Sequence, residues 1–398
     1  MILFQSKHTM ERKLITVFFV GSLLMIFNLF SCKGTIKKND PIYTIQINFS
    51  LYDTTEIKLS ELYKDFRIIP LVSDSNIYIS LITKVLAGNK YIYVLSKRNN
   101  IGEVFKFLKN GKFVSVIGRD SKTYLDNISD IDLNTYNGHI TIFDPNYGIY
   151  TFDCNDMLIK KKPYINSPFI QSSVYFTQVK NSLFFVGYSK DANLYITDEN
   201  FNIRSSFFSS SSYNMNRVLI NPLQKTSNYN ILYRRYLHET IYSSDGINLL
   251  PYIFIDFGQN YPENLFDPEI SKRQFKQLID KNKLSIIGSL YENSKTIGFT
   301  FKKDNSSYYC FFDKKNKTTS LYNKTNVIND ISFDYKTFYC VGSYDSAFIY
   351  ITEPEHINTD LLKQNICNKT RPNYSEKKHS IESFTNNKYP IIVIAEIK

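Results

Sequence analysis

The sequence predicts an all-β fold, a six-bladed β-propeller of four-stranded antiparallel blades with one short helical insertion. Three features predict it. Tyr and Phe, 31 of each with Trp absent, join Ile, Val and Thr in short apolar runs bounded by Asn, Asp, Gly and Lys, the pattern of strands joined by turns. A strand-turn-strand-turn-strand unit recurs six times along the chain. The copies are spaced by roughly 40–50 residues, as propeller blades are.

The N-terminus decides which residues belong to the fold. Leu14 to Phe30 carries no charge and follows Glu11, Arg12 and Lys13; a basic segment before an apolar one reads as a secretory signal. A transmembrane anchor of about 17–25 apolar residues is the competing reading. Leu29-Phe30-Ser31-Cys32 favours the first, because it resembles the bacterial lipobox, with a large apolar residue three before the cysteine and a small one directly before it. Residues 1–31 are then a lipoprotein signal peptide, Cys32 is the lipidation site, 32–40 form a tether and 41–398 the propeller. Met10 is an alternative start, since Met10-Glu11-Arg12-Lys13 makes a normal signal start by itself. The expected location is the cell envelope, lipid-anchored to the outer membrane, with the bilayer as a partner through acylated Cys32 and the periplasmic or surface side left open. Lys33, Lys37 and Lys38 would add attraction to anionic headgroups, about 1 kcal/mol per charge.

The clearest blade lies at Lys90 to Gly118. Tyr91 to Leu95, Glu103 to Leu108 and Phe113 to Ile117 read as strands, with a tight turn at Lys109-Asn110-Gly111-Lys112, where Asn-Gly in a two-residue loop tolerates φ > 0 at both residues. Copies follow at Gly138 to Tyr164, Asn181 to Phe208 and Thr296 to Tyr322, with weaker ones at Asn230 to Phe257 and Lys336 to Ile351. A further alternating run precedes most of them, at Ile79 to Leu86, Ile128 to Leu133, Val174 to Val179, Leu284 to Tyr291 and Val327 to Phe333. These supply the fourth strand of each blade. Asp267-Pro268-Glu269 before Phe275, Leu278 and Ile279 suits a helix with Asp as N-cap, a decoration packed on one face of a blade. Closure of the ring calls on Pro390 to Lys398 and an early strand, either Phe66 to Val72 or residues 41–49.

Charge and cysteine content narrow the function. Loss of residues 1–31 takes the formal charge from +11 to +9, as Lys7, Arg12, Lys13 and Glu11 go. The remaining excess is diffuse, with Lys160-Lys161-Lys162, Arg234-Arg235 and Lys377-Lys378 far apart, and a nucleic-acid partner would require a concentrated basic face. Cys154, Cys310, Cys340 and Cys367 show no zinc-site spacing. Small buried thiols are the default reading for the first three, with a Cys310 to Cys340 disulfide as a minor alternative.

Three segments, Ile68 to Val72 (IIPLV), Gly88 to Asn100 (GNKYIYVLSKRNN) and Phe105 to Arg119 (FKFLKNGKFVSVIGR), resemble the Bacteroidales-type six-bladed β-propeller lipoproteins, a family with an NHL-like propeller. The resemblance spans most of the mature chain and implies a propeller in the envelope with no settled activity. Asp120 to Asp126 departs from the family, which usually carries a glycine- and proline-rich loop there; a ligand site shaped by that loop would be altered.

Catalytic motifs are absent. Of five histidines, His8, His139, His238, His356 and His379, no two have metal-hydrolase spacing, and neither a GxSxG elbow nor a P-loop occurs. Arg119, Asp144, Arg234 and Arg235 are the candidate ligand-binding residues, the arginines as clamps for an anionic group. Asp130, Asp144, Asp198 and Asp313 are candidate Ca²⁺ ligands, although hydrogen bonding to their own turns is the favoured role; no other cofactor or metal is implied. The expected function is a monomeric, non-enzymatic propeller that binds a glycan, a peptide or a partner protein. The alternatives are a propeller lyase or hydrolase and a structural subunit of an envelope complex.

Overall fold

The structure is a computed structural model that describes residues 35–49, 56–72, 77–98, 101–119, 125, 127–164, 167–189, 191–208, 221–226, 230–266, 270–328, 330, 339–352 and 390–398. Six four-stranded antiparallel blades form the ring. From the innermost strand outward, blade 1 is Leu81–Ala87, Tyr91–Arg98, Ile101–Leu108 and Phe113–Ile117, and blade 2 is Asp130–Asn134, His139–Asp144, Gly148–Phe152 and Leu158–Lys162. Blade 3 is Ser173–Val179, Ser182–Gly187, Leu194–Thr197 and Ile203–Phe207, and blade 4 is Leu223–Lys225, Ile231–Tyr233, Thr240–Ser244 and Leu249–Asp256. Blade 5 is Ile286–Glu292, Thr296–Lys303, Ser306–Asp313 and Thr318–Asn323; blade 6 is Tyr339–Tyr344, Ala347–Thr352, Ile391–Ile397 and Tyr63–Pro70. Because the strands alternate in direction, the first turns, and the third turns of blades 1 to 5, lie at one end of the ring, the odd-turn face. The described second turns, and the strand ends that lead into the next blade, lie at the other, the linker face.

Blade 6 closes the ring with both ends of the chain. Tyr63–Pro70 pairs antiparallel with Ile391–Ile397, Pro70 opposite Ile391 and Ile69 opposite Ile392, so of the two candidate closing strands the one around Phe66 to Val72 is used. Residues 41–49 instead contribute Tyr43–Gln46, which adds a parallel fifth strand to the outer edge of blade 4. The run at Val327 to Phe333 is not the inner strand of blade 6. Val327–Ile328 pairs with Ile57–Lys58 outside the ring, and residues 331–338 lie outside the described residues.

The core is a set of apolar layers between successive blades. Tyr93, Val104, Ile131, Ile140, Tyr150 and Phe152 pack between blades 1 and 2, and Phe143, Phe176 and Phe185 between blades 2 and 3. Aromatic side chains, which typically bury about 150 Å² or more each, fill the wedge that opens between twisted sheets. Lys106 is nearly as buried as these rings, with 2% of its side chain exposed. Its ammonium donates to Cys154 O at 2.6 Å and Asp156 Oδ1 at 2.7 Å, which locks blade 1 to the third turn of blade 2.

Three local expectations change. In the Lys109 to Lys112 turn only Gly111 has positive φ (+89°); Gly111 N donates to Leu108 O and Leu108 N to Lys112 O, a three-residue hairpin ending in a left-handed glycine rather than a two-residue one. The insertion helix runs Lys272–Asn282 and starts later than predicted. Ser271 is its N-cap in a capping box with Gln274, whereas Asp267, Pro268 and Glu269 lie outside the described residues. The helix belongs to the connection between blades 4 and 5, where Phe275 and Ile279 pack on Leu237, Leu265 and Leu284. Cys154, Cys310 and Cys340 are free thiols, and Cys154 is exposed in a turn rather than buried; Cys367 lies outside the described residues.

Candidate functional site: a polar cleft between blades 2 and 3

The innermost strands line a central channel crossed by polar side chains, most of them from blade 4. Asn221 Nδ2 donates to Thr83 O of blade 1 and to the Tyr291 hydroxyl of blade 5. Gln224 Nε2 donates to Glu292 O and Ser343 Oγ, reaching blades 5 and 6. Lys225 Nζ lies 2.6 Å from Asp132 Oδ2 of blade 2. Blade 2 answers with two carboxylates. Asp130 accepts from Lys84 Nζ at 2.8 Å and from Phe176 N, and Asp132 Oδ2 also accepts from Gln178 N. Both acids satisfy edge N–H groups of blade 3 that no strand pairs, which would be costly to leave bare.

Alternation along the strands of blade 2 continues this polarity outward. One row across its blade-3 side, Asp130, Phe143, Ile149 and Lys162, feeds the apolar layer. The next row is Asp132, Thr141, Thr151 and Lys160 in register, polar on all four strands, followed by Asn134 opposite His139. Thr141 Oγ1 and Thr151 Oγ1 are 3.3 Å apart. Gln178 of blade 3 also lines the cavity, whereas Val179 packs toward blade 4. At the rim, Glu199 of blade 3 takes Lys160 at 3.1 Å and Lys162 at 2.8 Å, and these lysines hold its carboxyl below the usual range. The channel and cleft together form a cavity of about 1210 Å³. Its lining includes the first-turn residues Asn89, Tyr136, Asn137 and Asn293, so it reaches the odd-turn face. Tyr136 stands there 91% exposed.

The four candidate ligand-binding residues do not make this site. Arg119 is exposed and pairs with Glu103 at 3.1 Å. Asp144 is fully buried and accepts from Asn127 N, Asn146 N and Tyr147 N, holding a turn. Arg234 is buried and donates to Gly288 O at 2.7 Å, tying blade 4 to blade 5. Arg235 lies over the Phe208 ring, 4.2 Å from its centroid, and together with burial it drives neighbouring His238 down to about 3, burial being the larger cause. Cys32 lies outside the described residues. Among the candidate Ca²⁺ ligands, Asp198 and Asp313 bond their own turns, as Asp144 does, and Asp130 alone reaches the channel. Among the described residues no group of three His, Cys, Asp or Glu side chains is placed to hold a metal ion.

The cleft was legible in principle. Period-two alternation places Asp130, Asp132 and Asn134 on one side of a strand, with His139 and Thr141 on the same side of the next. A polar side on an inner blade strand is the signal.

Comparison with solved structures supports the fold. A Bacteroides fragilis protein inferred to be exported matches 89% of this chain and 99% of its own at 15% identity, with a TM-score of 0.66. Weaker likenesses include the WD40 domain of Toxoplasma gondii coronin, at 11% identity over 73% of each chain and a TM-score of 0.38. The extracellular domain assigned to a hybrid two-component system of Bacteroides thetaiotaomicron, at 11% identity over 72% of this chain and 39% of that one, has a TM-score of 0.36. A search among curated proteins returns no match. The chain belongs to the family described as Domain of unknown function (DUF4934), whose model matches residues 42–396.

Proposed function

We propose that this protein is an envelope lipoprotein, acylated at Cys32, whose propeller binds a glycan in the cleft between blades 2 and 3 without chemically altering it. The polar row Asp132, Thr141, Thr151 and Lys160 carries the reading, because it opens a cavity where an apolar layer would otherwise continue. Hydroxyls, amides and lysines suit the alternating donors and acceptors of a sugar. Tyr136 offers an exposed ring at the mouth for stacking on a sugar face. Asp130 and Asp132 are each neutralised by a lysine and bonded to backbone N–H groups, which suits fixed walls better than acid-base catalysis, where a proton must move.

Anchoring rests on the signal-like N-terminus; among the described residues no helix is long and apolar enough to cross a membrane. A mature chain with Cys32→Ser, screened on a glycan array and then by calorimetry, tests the ligand. Binding of a glycan that falls at least tenfold in Tyr136→Ala is expected. Binding of no glycan, or binding unchanged by Tyr136→Ala, overturns the reading. Anchoring is tested separately, by incorporation of an alkyne fatty acid that Cys32→Ser abolishes.

A further inference from the structure

The N-terminal segment meets the ring at one particular place. Ile36 bridges Leu249 in parallel, and Lys37 N donates to Leu249 O at 3.1 Å. Leu249 opens the outermost strand of blade 4, directly after its third turn, so the chain joins the propeller at the odd-turn face. Cys32 stands four residues before Ile36, a reach of at most ~14 Å when extended. The outermost strand of blade 4 has eight residues, about 26 Å from end to end. A lipid on Cys32 therefore cannot reach past the linker face.

We infer that the odd-turn face lies against a lipid bilayer, so that the mouth of the cleft opens toward the membrane surface. The inference rests on the acylation of Cys32 proposed above and names where the ligand must come from: a membrane-apposed glycan rather than one in bulk solution. The surface chemistry fits. Tyr136, Met157 (65% exposed) and Ile247 (52% exposed) project from turns of this face, and an aromatic ring with a polar tip suits the headgroup level. Lys112, Lys180, Lys315 and Lys317 occupy its turns with no carboxylate in ion-pair range among the described residues, each able to add about 1 kcal/mol of attraction near an anionic surface, and Asp153, Asp198, Asp245, Asp313 and Asp345 in the same set of turns offset that attraction. Exposed apolar side chains such as Ile101 and Tyr147 occur on the linker face as well. It is the short reach from Ile36 that distinguishes the two faces.

Native Cys154, exposed in the third turn of blade 2, provides the probe. The full chain with Cys367→Ser is produced in a Gram-negative host, labelled at Cys154 with a bimane maleimide, and added to preformed vesicles of phosphatidylcholine and phosphatidylglycerol containing doxyl-labelled lipid. A comparison protein carries Cys154→Ser and Tyr147→Cys, which moves the label to the second turn of the same blade; Ile101→Cys serves as an alternative site on that face. Quenching at position 154 at least threefold stronger than at 147 or 101 is expected. Equal or reversed quenching in an acylated protein overturns the orientation. Intact mass identifies an unacylated product, which instead overturns the anchoring and leaves the glycan measurement above to stand or fall alone.

Discussion

Gly111→Ala tests whether the ring is sealed where the structure seals it. Gly111 has φ +89°, and a Cβ there would stand 1.9 Å from Pro70 O and 3.0 Å from Pro70 C. Pro70 ends the strand that closes blade 6, and Gly111 O accepts from Val72 N at 2.9 Å, so the hairpin of blade 1 clasps the closing strand. Gly258 is the matched control, with φ +63° and nothing within 4 Å of a Cβ. Both substitutions carry the cost of an L-residue at positive φ, about 1–2 kcal/mol. Gly111→Ala must also push backbone aside by more than an ångström, an overpacking cost of about 1–3 kcal/mol. Urea unfolding should therefore show Gly111→Ala losing about 1–3 kcal/mol more than Gly258→Ala. Hydrogen exchange at Ile69 to Val72 should accelerate only in the former. Equal losses, or unchanged exchange at the closing strand, would refute the clasp.

Lys106→Ala should cost about 3–5 kcal/mol, the range for breaking a buried ion pair, while Lys106→Met keeps the volume and should cost less; equal losses in chemical denaturation would contradict the packing role of its stem. His238 titrates near 3 in the folded chain against an ordinary 6.5, so the folded state binds fewer protons between those values. Its contribution is complete above pH 6.5 and is lost as the pH falls toward 3; the stability gap between wild type and His238→Asn should shrink from pH 7 to pH 4.5, and a constant gap would rule the effect out. Ser271→Ala should cost about 1 kcal/mol through the lost cap, with faster amide exchange confined to Lys272 to Phe275, and unchanged exchange there would count against the capping box.

Much of the fold was legible because it is local. Alternating apolar runs between Asn/Asp/Gly turns mark a blade whatever lies beside it, and Asp198 and Asp313 hold their turns through bonds two to four residues away. What escaped depends on distant partners. The closing strands of blade 6, Pro390 to Lys398 and Phe66 to Val72, were expected, but its inner strand is Tyr339–Tyr344 and not the run at Val327 to Phe333, whose described part pairs with Ile57–Lys58 instead. Likewise, Arg234 and Asp144 looked like ligand groups because charge is visible in a sequence, while the Gly288 carbonyl and the backbone N–H groups that claim them are not. Asp132, Thr141 and Thr151 of blade 2 drew no attention for the opposite reason: each is unremarked alone, and only register brings them into one row with Lys160.

That row has a stability consequence that separates function from architecture. The apolar layer between blades 2 and 3 stops after Phe143 and Ile149, and the ring is held there by Asp130 and Asp132 at the channel and Glu199 at the rim. Thr141 and Thr151 offer each other one hydroxyl contact, about 1 kcal/mol net, whereas valines would bury two further methyl groups at roughly 0.8 kcal/mol each. A combined Thr141→Val and Thr151→Val protein should therefore stay within about 1 kcal/mol of wild type in urea unfolding, while its affinity for a glycan in the cleft falls at least tenfold. If the row served architecture alone, the result would be the reverse, a loss above about 2 kcal/mol with binding intact. Polar residues kept at positions where apolar ones would serve the fold equally well are what a binding site adds to a blade.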